Sequence, residues 1–313
     1  MGGPPKGLKL WLLVARAPFF QATIIPVLLG GTLATSQISS TGGSFSLSLF
    51  LTTLLGALLI HGATNMFNDY FDFRSGNDLK VSHRNPFAGG GRILPQGLVS
   101  PNSHFTVAAS LLAAGSIVGL YLVFLRGVYL FWLGLIGVIC SIFYVGPPIR
   151  FAYRGLGEFL VGVNFGPVVV LGTYYVQLQR FDLAPLAASI PVGILIAAVL
   201  WINEFPDLEP DLAVGKRTLV ARLGLESSRQ MFAGMLILAY LLPILFVLLG
   251  VLPVTVLLAL LTLPLVLKIL SHLRRHYSSP NDLVPANAHT IILHLVFGLL
   301  FTAAIFFGSI LNL

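Results

Sequence analysis

The sequence predicts an all-α, polytopic membrane bundle of about nine transmembrane helices. Charged residues make up 9% of the chain and hydrophobic ones 56%, where a soluble domain carries about 25% charged residues. Apolar runs of about 20 residues, the length that crosses a ~30 Å hydrocarbon core, recur from one end to the other. Strands cross lipid only by closing into a barrel, so helices are the expected spanning element.

The runs fall at about 10–34, 45–67, 103–125, 128–145, 157–178, 184–205, 230–250, 252–271 and 289–311. Lys6 and Lys9 ahead of the first run have the look of a signal peptide. Arg16 and Gln21 interrupt that run, so it reads as a retained first span with Arg16 several residues inside it. The second and sixth runs end in acidic residues, and Pro206 and Pro210 follow the sixth, where they threaten to unwind it. Nearly every residue belongs to a run or a short connection, which leaves room for a single domain over residues 1–313. Cys140 is the only cysteine, so an intrachain disulfide and a thiolate metal cluster are excluded.

The net charge of +7 raises the question of nucleic acid, but its placement argues for topology. With nine spans, one side receives the N-terminus and the connections near 73–102, 146–156, 206–229 and 272–288. That side holds 16 of the 18 Lys and Arg residues, all except Arg126 and Arg180. By the positive-inside rule it is the cytoplasmic side of a plasma membrane.

The chain has 11 acidic residues, and seven occupy two short segments on that side. The first runs Asn65-Met-Phe-Asn68-Asp69-Tyr-Phe-Asp72 and on to Arg74 and Asp78; Asn65, Asn68, Asp69 and Asp72 share one helix face. The second holds Asn203, Glu204, Asp207, Glu209 and Asp211, with Asn203, Asp207 and Asp211 in a ladder of spacing four if the helix survives its prolines. Both begin Asn-x-x-x-Asp, 138 residues apart. Like charges stacked on one face repel, and near a bilayer they call for a compensating cation. Oxygen ligands without His or Cys suit a hard cation, and Mg²⁺ joins one or two carboxylates to substrate phosphates. A cation transporter is the rival reading, but a conduction path would carry ionisable groups through the bilayer. Here they gather at one surface.

On these residues the sequence resembles the UbiA superfamily of intramembrane prenyltransferases. Within it, Asn68-Asp69-Tyr70-Phe71-Asp72 followed by Gly76-Asn77-Asp78 is similar to the branch that prenylates 1,4-dihydroxy-2-naphthoate in menaquinone biosynthesis. So are Tyr144-Val-Gly146-Pro147-Pro148 with Tyr153-Arg154-Gly155-Leu156-Gly157-Glu158, and Gly215-Lys216-Arg217-Thr218-Leu219. The second segment departs from the usual Asn-Asn-x-x-Asp by an extra acid and a proline.

The resemblance implies transfer of a polyprenyl group from its diphosphate to an aromatic acceptor, the naphthoate losing CO₂. Benzoate, homogentisate or a glycerol-phosphate lipid are the alternative acceptors. It implies that Asn65, Asp69, Asp72, Asn203, Asp207 and Asp211 hold the Mg²⁺-diphosphate, the four aspartates being catalytic. Asn68, Asp78, Arg16, Arg74, Lys216 and Arg92 are candidates for substrate contact, and Tyr144 and Tyr153 for lining an aromatic pocket. Arg92 follows Gly89-Gly90-Gly91, which reads as a cap over the pocket or as a plain flexible connection. His61, one turn before Asn65, reads as a packing histidine. His272 and His276 are spaced like metal ligands but lack a third, and read as a solvated helix end.

Overall fold

The computed structural model describes residues 7–82, 85–87 and 92–311; Gly89, Gly90 and Gly91 lie outside the described residues. In chain order the helices are α1 (Gly7–Val14), α2 (Gln21–Thr41), α3 (Leu47–Ser75), the single turn α4 (Asn77–Lys80), α5 (Pro101–Arg126) and α6 (Tyr129–Phe143). They continue with α7 (Gly157–Val163), α8 (Val169–Leu178), α9 (Leu183–Ala213), α10 (Leu219–Leu248), α11 (Leu263–His276) and α12 (Val284–Leu311). A π-helical turn over Asn164–Val168, with Pro167 inside it, joins α7 to α8. A 3₁₀ stretch over Val254–Thr262 leads into α11. The chain is an integral, multi-pass membrane protein: eight of its helical segments are long and apolar enough to cross a bilayer, and α6, at 15 residues, is a shorter ninth.

Two expectations about these elements are corrected. The first span does not run unbroken over 10–34. Arg16 adopts the left-handed conformation at φ 54, and Pro18 follows within the 3₁₀ turn Ala17–Phe20. Left-handed backbone ends a right-handed helix, so the membrane-crossing part starts at about Ala17 and Arg16 sits at the break rather than inside a span.

The second correction concerns α9, which passes through Pro206 and Pro210 and ends at Ala213. Proline at 206 has no N–H to give the carbonyl of Ile202. That carbonyl instead accepts from Asn287 Nδ2 of α12 at 3.0 Å. Substitution of this kind, by a side chain from a neighbouring helix, lets proline persist in a membrane helix.

Helix α9 is central. Its apolar window is 67% buried, against 22% for α3 and 17% for α5; it packs on α7, α10 and α12, while α3 and α5 pair at the periphery. Gly162 and Gly166 on one side and Ser189 and Gly193 on the other bring the α7–α8 segment into backbone contact with α9. Four-residue spacing of small residues is what close helix approach in lipid requires. The acidic segments therefore lie inside the ends of long helices, where the sequence alone places their first residues only.

Candidate functional site

Helix α3 carries its acids to Ser75 and stops at Gly76, whose φ of 81 lets the chain turn. The following turn, α4, points back at α9: Asn77 Nδ2 donates to Asp211 Oδ1 at 2.7 Å. Beyond α9, Gly215 at φ 74 reverses the chain, and Lys216 N donates to Asp211 O at 2.8 Å. That fold-back sets Lys216 Nζ 3.1 Å from Asp72 Oδ2 and 3.4 Å from Asp211 Oδ1. One ammonium thus joins the two acidic helix ends. Burial by itself would lower the Lys216 ammonium, but Asp211 and Asp72 beside it outweigh burial and hold it well above its ordinary range. On the other flank, the helix break aims the Arg16 guanidinium at Asp69, whose side chain is 1% exposed. Asn65 Nδ2 ties down the same break through Ala15 O at 3.0 Å.

The balance of charge remains negative. Asp69, Asp72, Asp78, Asp207 and Asp211 interact electrostatically with one another and with Arg16 and Lys216. Burial and the nearby Asp72 and Asp69 carboxylates push Asp78 up to about 8. Among the described residues, the buried oxygens Asn68 Oδ1, Asp72 Oδ1, Asn77 Oδ1 and Asp78 Oδ2 have no hydrogen-bond partner. Unpartnered buried oxygens in an acidic cluster fit a hard cation. Among the described residues, no three His, Cys, Asp or Glu side chains group tightly enough to cage a metal on their own. The fit is to a cation that shares its coordination with phosphate and water, as Mg²⁺ does.

The remaining residues singled out from the sequence divide. Tyr144 lies in electrostatic range of Lys216 and Asp72, and so does Tyr153, close to Ser75 at the end of α3. Arg74 is exposed, and among the described residues pairs with neither acidic segment. Arg92 is exposed in a turn whose Gln96 N donates to Arg92 O at 3.1 Å. His61 is a packing histidine: its Nδ1 meets Thr23 Oγ1 at 2.7 Å, and the ring sits between Phe20 and Phe165. His272 pairs with the carbonyl of Asp282 at 2.7 Å.

Three residues to which the sequence reading gave no role take part in the site. Glu158, 2% exposed, accepts from Leu219 N at 2.6 Å and so fixes the start of α10 against α7. Glu204, 6% exposed, interacts with Glu158 and with Tyr144. The signal for both was available, since a carboxylate within a membrane-spanning run is functional by default. Asn287 is the third; a lone Asn in the last run gives no sign of what it faces.

Tyr144 also lines an apolar cavity of about 200 Å³ between α3, α5, α6 and the α7–α8 segment. Gly56, Ile60, Gly119, Gly134 and Gly137 line it. The site therefore joins a charged, oxygen-rich end to a hydrocarbon-lined chamber.

The sequence pattern of the UbiA prenyltransferase family matches residues 23–290. The chain is 30% identical over 301 residues to the 2-carboxy-1,4-naphthoquinone phytyltransferase of Synechocystis, covering 96% of this chain and 94% of that protein. It is 32% identical over 300 residues to the 1,4-dihydroxy-2-naphthoate octaprenyltransferase of Mycobacterium tuberculosis, covering 96% and 98%. Its fold matches that of a UbiA homolog from Aeropyrum pernix, with a TM-score of 0.66 at 19% identity over 93% of this chain and 97% of that one. It also matches a UbiA homolog from Archaeoglobus fulgidus bound to DMAPP and Mg²⁺, with a TM-score of 0.62 at 13% identity over 94% and 99%. Taken with the paired acidic helix ends, these likenesses assign the chain: it belongs to the UbiA prenyltransferase family.

Proposed function

We propose that this chain transfers a polyprenyl group from its diphosphate to an aromatic acceptor. The acceptor is 1,4-dihydroxy-2-naphthoate, which loses CO₂, as in menaquinone biosynthesis. The observation that carries the reading is the junction itself: two acidic helix ends bridged by Lys216, and an apolar chamber that shares Tyr144 with them. A diphosphate-bearing isoprenoid has that same division between a charged head and a hydrocarbon tail. The relatives in Synechocystis and Mycobacterium tuberculosis, named for naphthoquinone and naphthoate substrates, support the acceptor.

Asn65, Asp69, Asp72, Asn203, Asp207 and Asp211 would hold Mg²⁺, and the unpartnered oxygens of Asn68, Asp72, Asn77 and Asp78 support a cation there. Bound Mg²⁺ supplies neutralisation of the diphosphate as the allylic C–O bond breaks. Lys216 and Arg16 add fixed positive charge at the same end and hold the carboxylates in place while no substrate is bound. The faces of Tyr144 and Tyr153 stabilise the allylic cation. The ring carbon then forms the new C–C bond, and the carboxyl carbon departs as CO₂, leaving its bonding electrons to restore the aromatic ring. The whole chain, 1–313, acts as one domain in the inner membrane, with the site opening on the basic, cytoplasmic side.

Purified protein given a polyprenyl diphosphate, dihydroxynaphthoate and Mg²⁺ is expected to form the prenylated product. Asp72→Ala and Asp207→Ala should each lower turnover by at least ~100-fold, the scale of lost metal-ion stabilisation. No product with any aromatic acceptor or with a glycerol-phosphate lipid sinks the enzyme reading. Product with hydroxybenzoate but not naphthoate sinks the acceptor alone.

The chamber gives a separate test. A Cβ at Gly137 meets nothing within 4 Å and Gly137 lines the chamber, so Gly137→Phe is a substitution that should narrow it. It should raise KM for a long donor while leaving a ten-carbon donor unaffected; equal effects on both would remove the chamber from the donor path.

A further inference from the structure

Asn287 stands on α12, belongs to neither acidic segment, and is completely buried. A buried amide must place two donor hydrogens and an acceptor oxygen, and Asn287 commits them to the site and the connection beside it. Its Nδ2 donates to Asn203 Oδ1 at 2.7 Å and to Ile202 O at 3.0 Å. Its Oδ1 accepts from Asn85 Nδ2 at 2.9 Å. Asn85, 2% exposed, donates also to Pro280 O at 3.4 Å, and its Oδ1 accepts from Phe87 N at 3.0 Å. A line of amides thus runs from the connection after α3, through α12, to the head of the second acidic segment.

Two consequences meet at Asn287. The Ile202 carbonyl is the one that Pro206 leaves without its helical donor, so Asn287 restores the ladder where α9 enters its acidic end. Donation to Asn203 Oδ1 fixes the turn of that amide, and the second lone pair of Oδ1 remains for a cation. Without Asn287 the amide is free to rotate and to present its –NH₂, a donor, where the cation needs an acceptor.

We propose that Asn287 is a positioning residue of the metal–diphosphate site: it orients the Asn203 amide and carries α9 through Pro206, and Asn85 holds Asn287 in place. This rests on the reading above that Asn203, Asp207 and Asp211 bind metal and diphosphate.

The test uses the full chain in detergent, with Mn²⁺ as the probe ion and inorganic diphosphate, bound Mn²⁺ being followed by electron paramagnetic resonance. Asn287→Leu is expected to weaken Mn²⁺–diphosphate binding by about tenfold, the lower end for partners that orient metal ligands. Adding Pro206→Ala returns an N–H to the Ile202 carbonyl. The pair Asn287→Leu/Pro206→Ala should therefore regain thermal stability but not affinity. In an Asn203→Ala background, measured at higher Mn²⁺, Asn287→Leu should cause no further loss. Asn85→Ala, the milder variant, should show a smaller loss that likewise disappears in that background. Unchanged affinity in Asn287→Leu, recovery of affinity together with Tm, or the same fold-loss without Asn203 each overturns the proposal. Wild-type protein that binds no Mn²⁺–diphosphate would overturn the metal-site reading itself. Wild-type binding with no effect of Asn287→Leu and Asn85→Ala would overturn the positioning role alone.

Discussion

Lys216→Ala is expected to lower turnover by at least ~100-fold and to destabilise the protein most when divalent cations are absent. The ammonium lies 3.1 Å from Asp72 Oδ2 and 3.4 Å from Asp211 Oδ1, both on side chains at most 8% exposed. Breaking a buried ion pair by removing one partner costs about 3–5 kcal/mol, because the other charge stays buried without compensation. Here one truncation strands two carboxylates on facing helices, and their mutual repulsion pushes α3 and α9 apart. A bound divalent cation would offset part of that repulsion but would not replace the donor lost from the proposed diphosphate site. Turnover and thermal stability should therefore respond differently: stability recovers in part with Mg²⁺, activity does not. Thermal unfolding in EDTA and in Mg²⁺, beside product formation at saturating Mg²⁺, checks both halves. A stability loss indifferent to Mg²⁺ would mean that Lys216 does no more than fill space between the helices.

Gly193→Val should damage the fold itself. A Cβ at Gly193 would stand 2.4 Å from the carbonyl oxygen of Gly162 and 3.2 Å from Gly166 Cα. Those neighbours are backbone, so no side chain can swing aside, and the helices must separate. Overpacking a tight core costs about 1–3 kcal/mol where side chains can adjust; with backbone on both sides the cost here should be about 3 kcal/mol or more. Separation also carries α9 away from α7, and with it the hydrogen bonding that sets Asn203 and Asp211. The variant is expected to yield little folded protein and to lose activity in what survives. Gly234→Val is the control, because a Cβ there meets nothing within 4 Å. Equal thermal stability of the two variants would show that the α7–α9 approach does not limit stability.

Much of this was legible in the chain, for reasons that differ by element. Runs of about 20 apolar residues have one solution in lipid, so helix number and order follow from composition and length. The acidic segments were visible because carboxylates are rare here, 11 in 313 residues, and a rare group recurring at equal spacing is hard to produce by chance. The failures are equally physical. At Arg16, local preference favoured continuing an apolar helix; the ion pair with Asp69 and the Ala15 carbonyl held by Asn65 favour the break, and both partners lie on α3. At Pro206, local rules left open whether the helix survives, and a donor on α12 carries it through.

The paired acidic helix ends were thus legible in the sequence alone: which residues they hold, and that Asn65, Asn68, Asp69 and Asp72 share one helix face. Helical periodicity and the solvation cost of charge in lipid act locally, and they read directly from residue order. What only the tertiary structure decided is how those ends are held. Lys216 between Asp72 and Asp211, Arg16 on Asp69, and Asn287 beneath Asn203 each join groups from different helices. Such contacts depend on how helices pack, and packing is set by small residues and buried amides whose partners lie far along the chain.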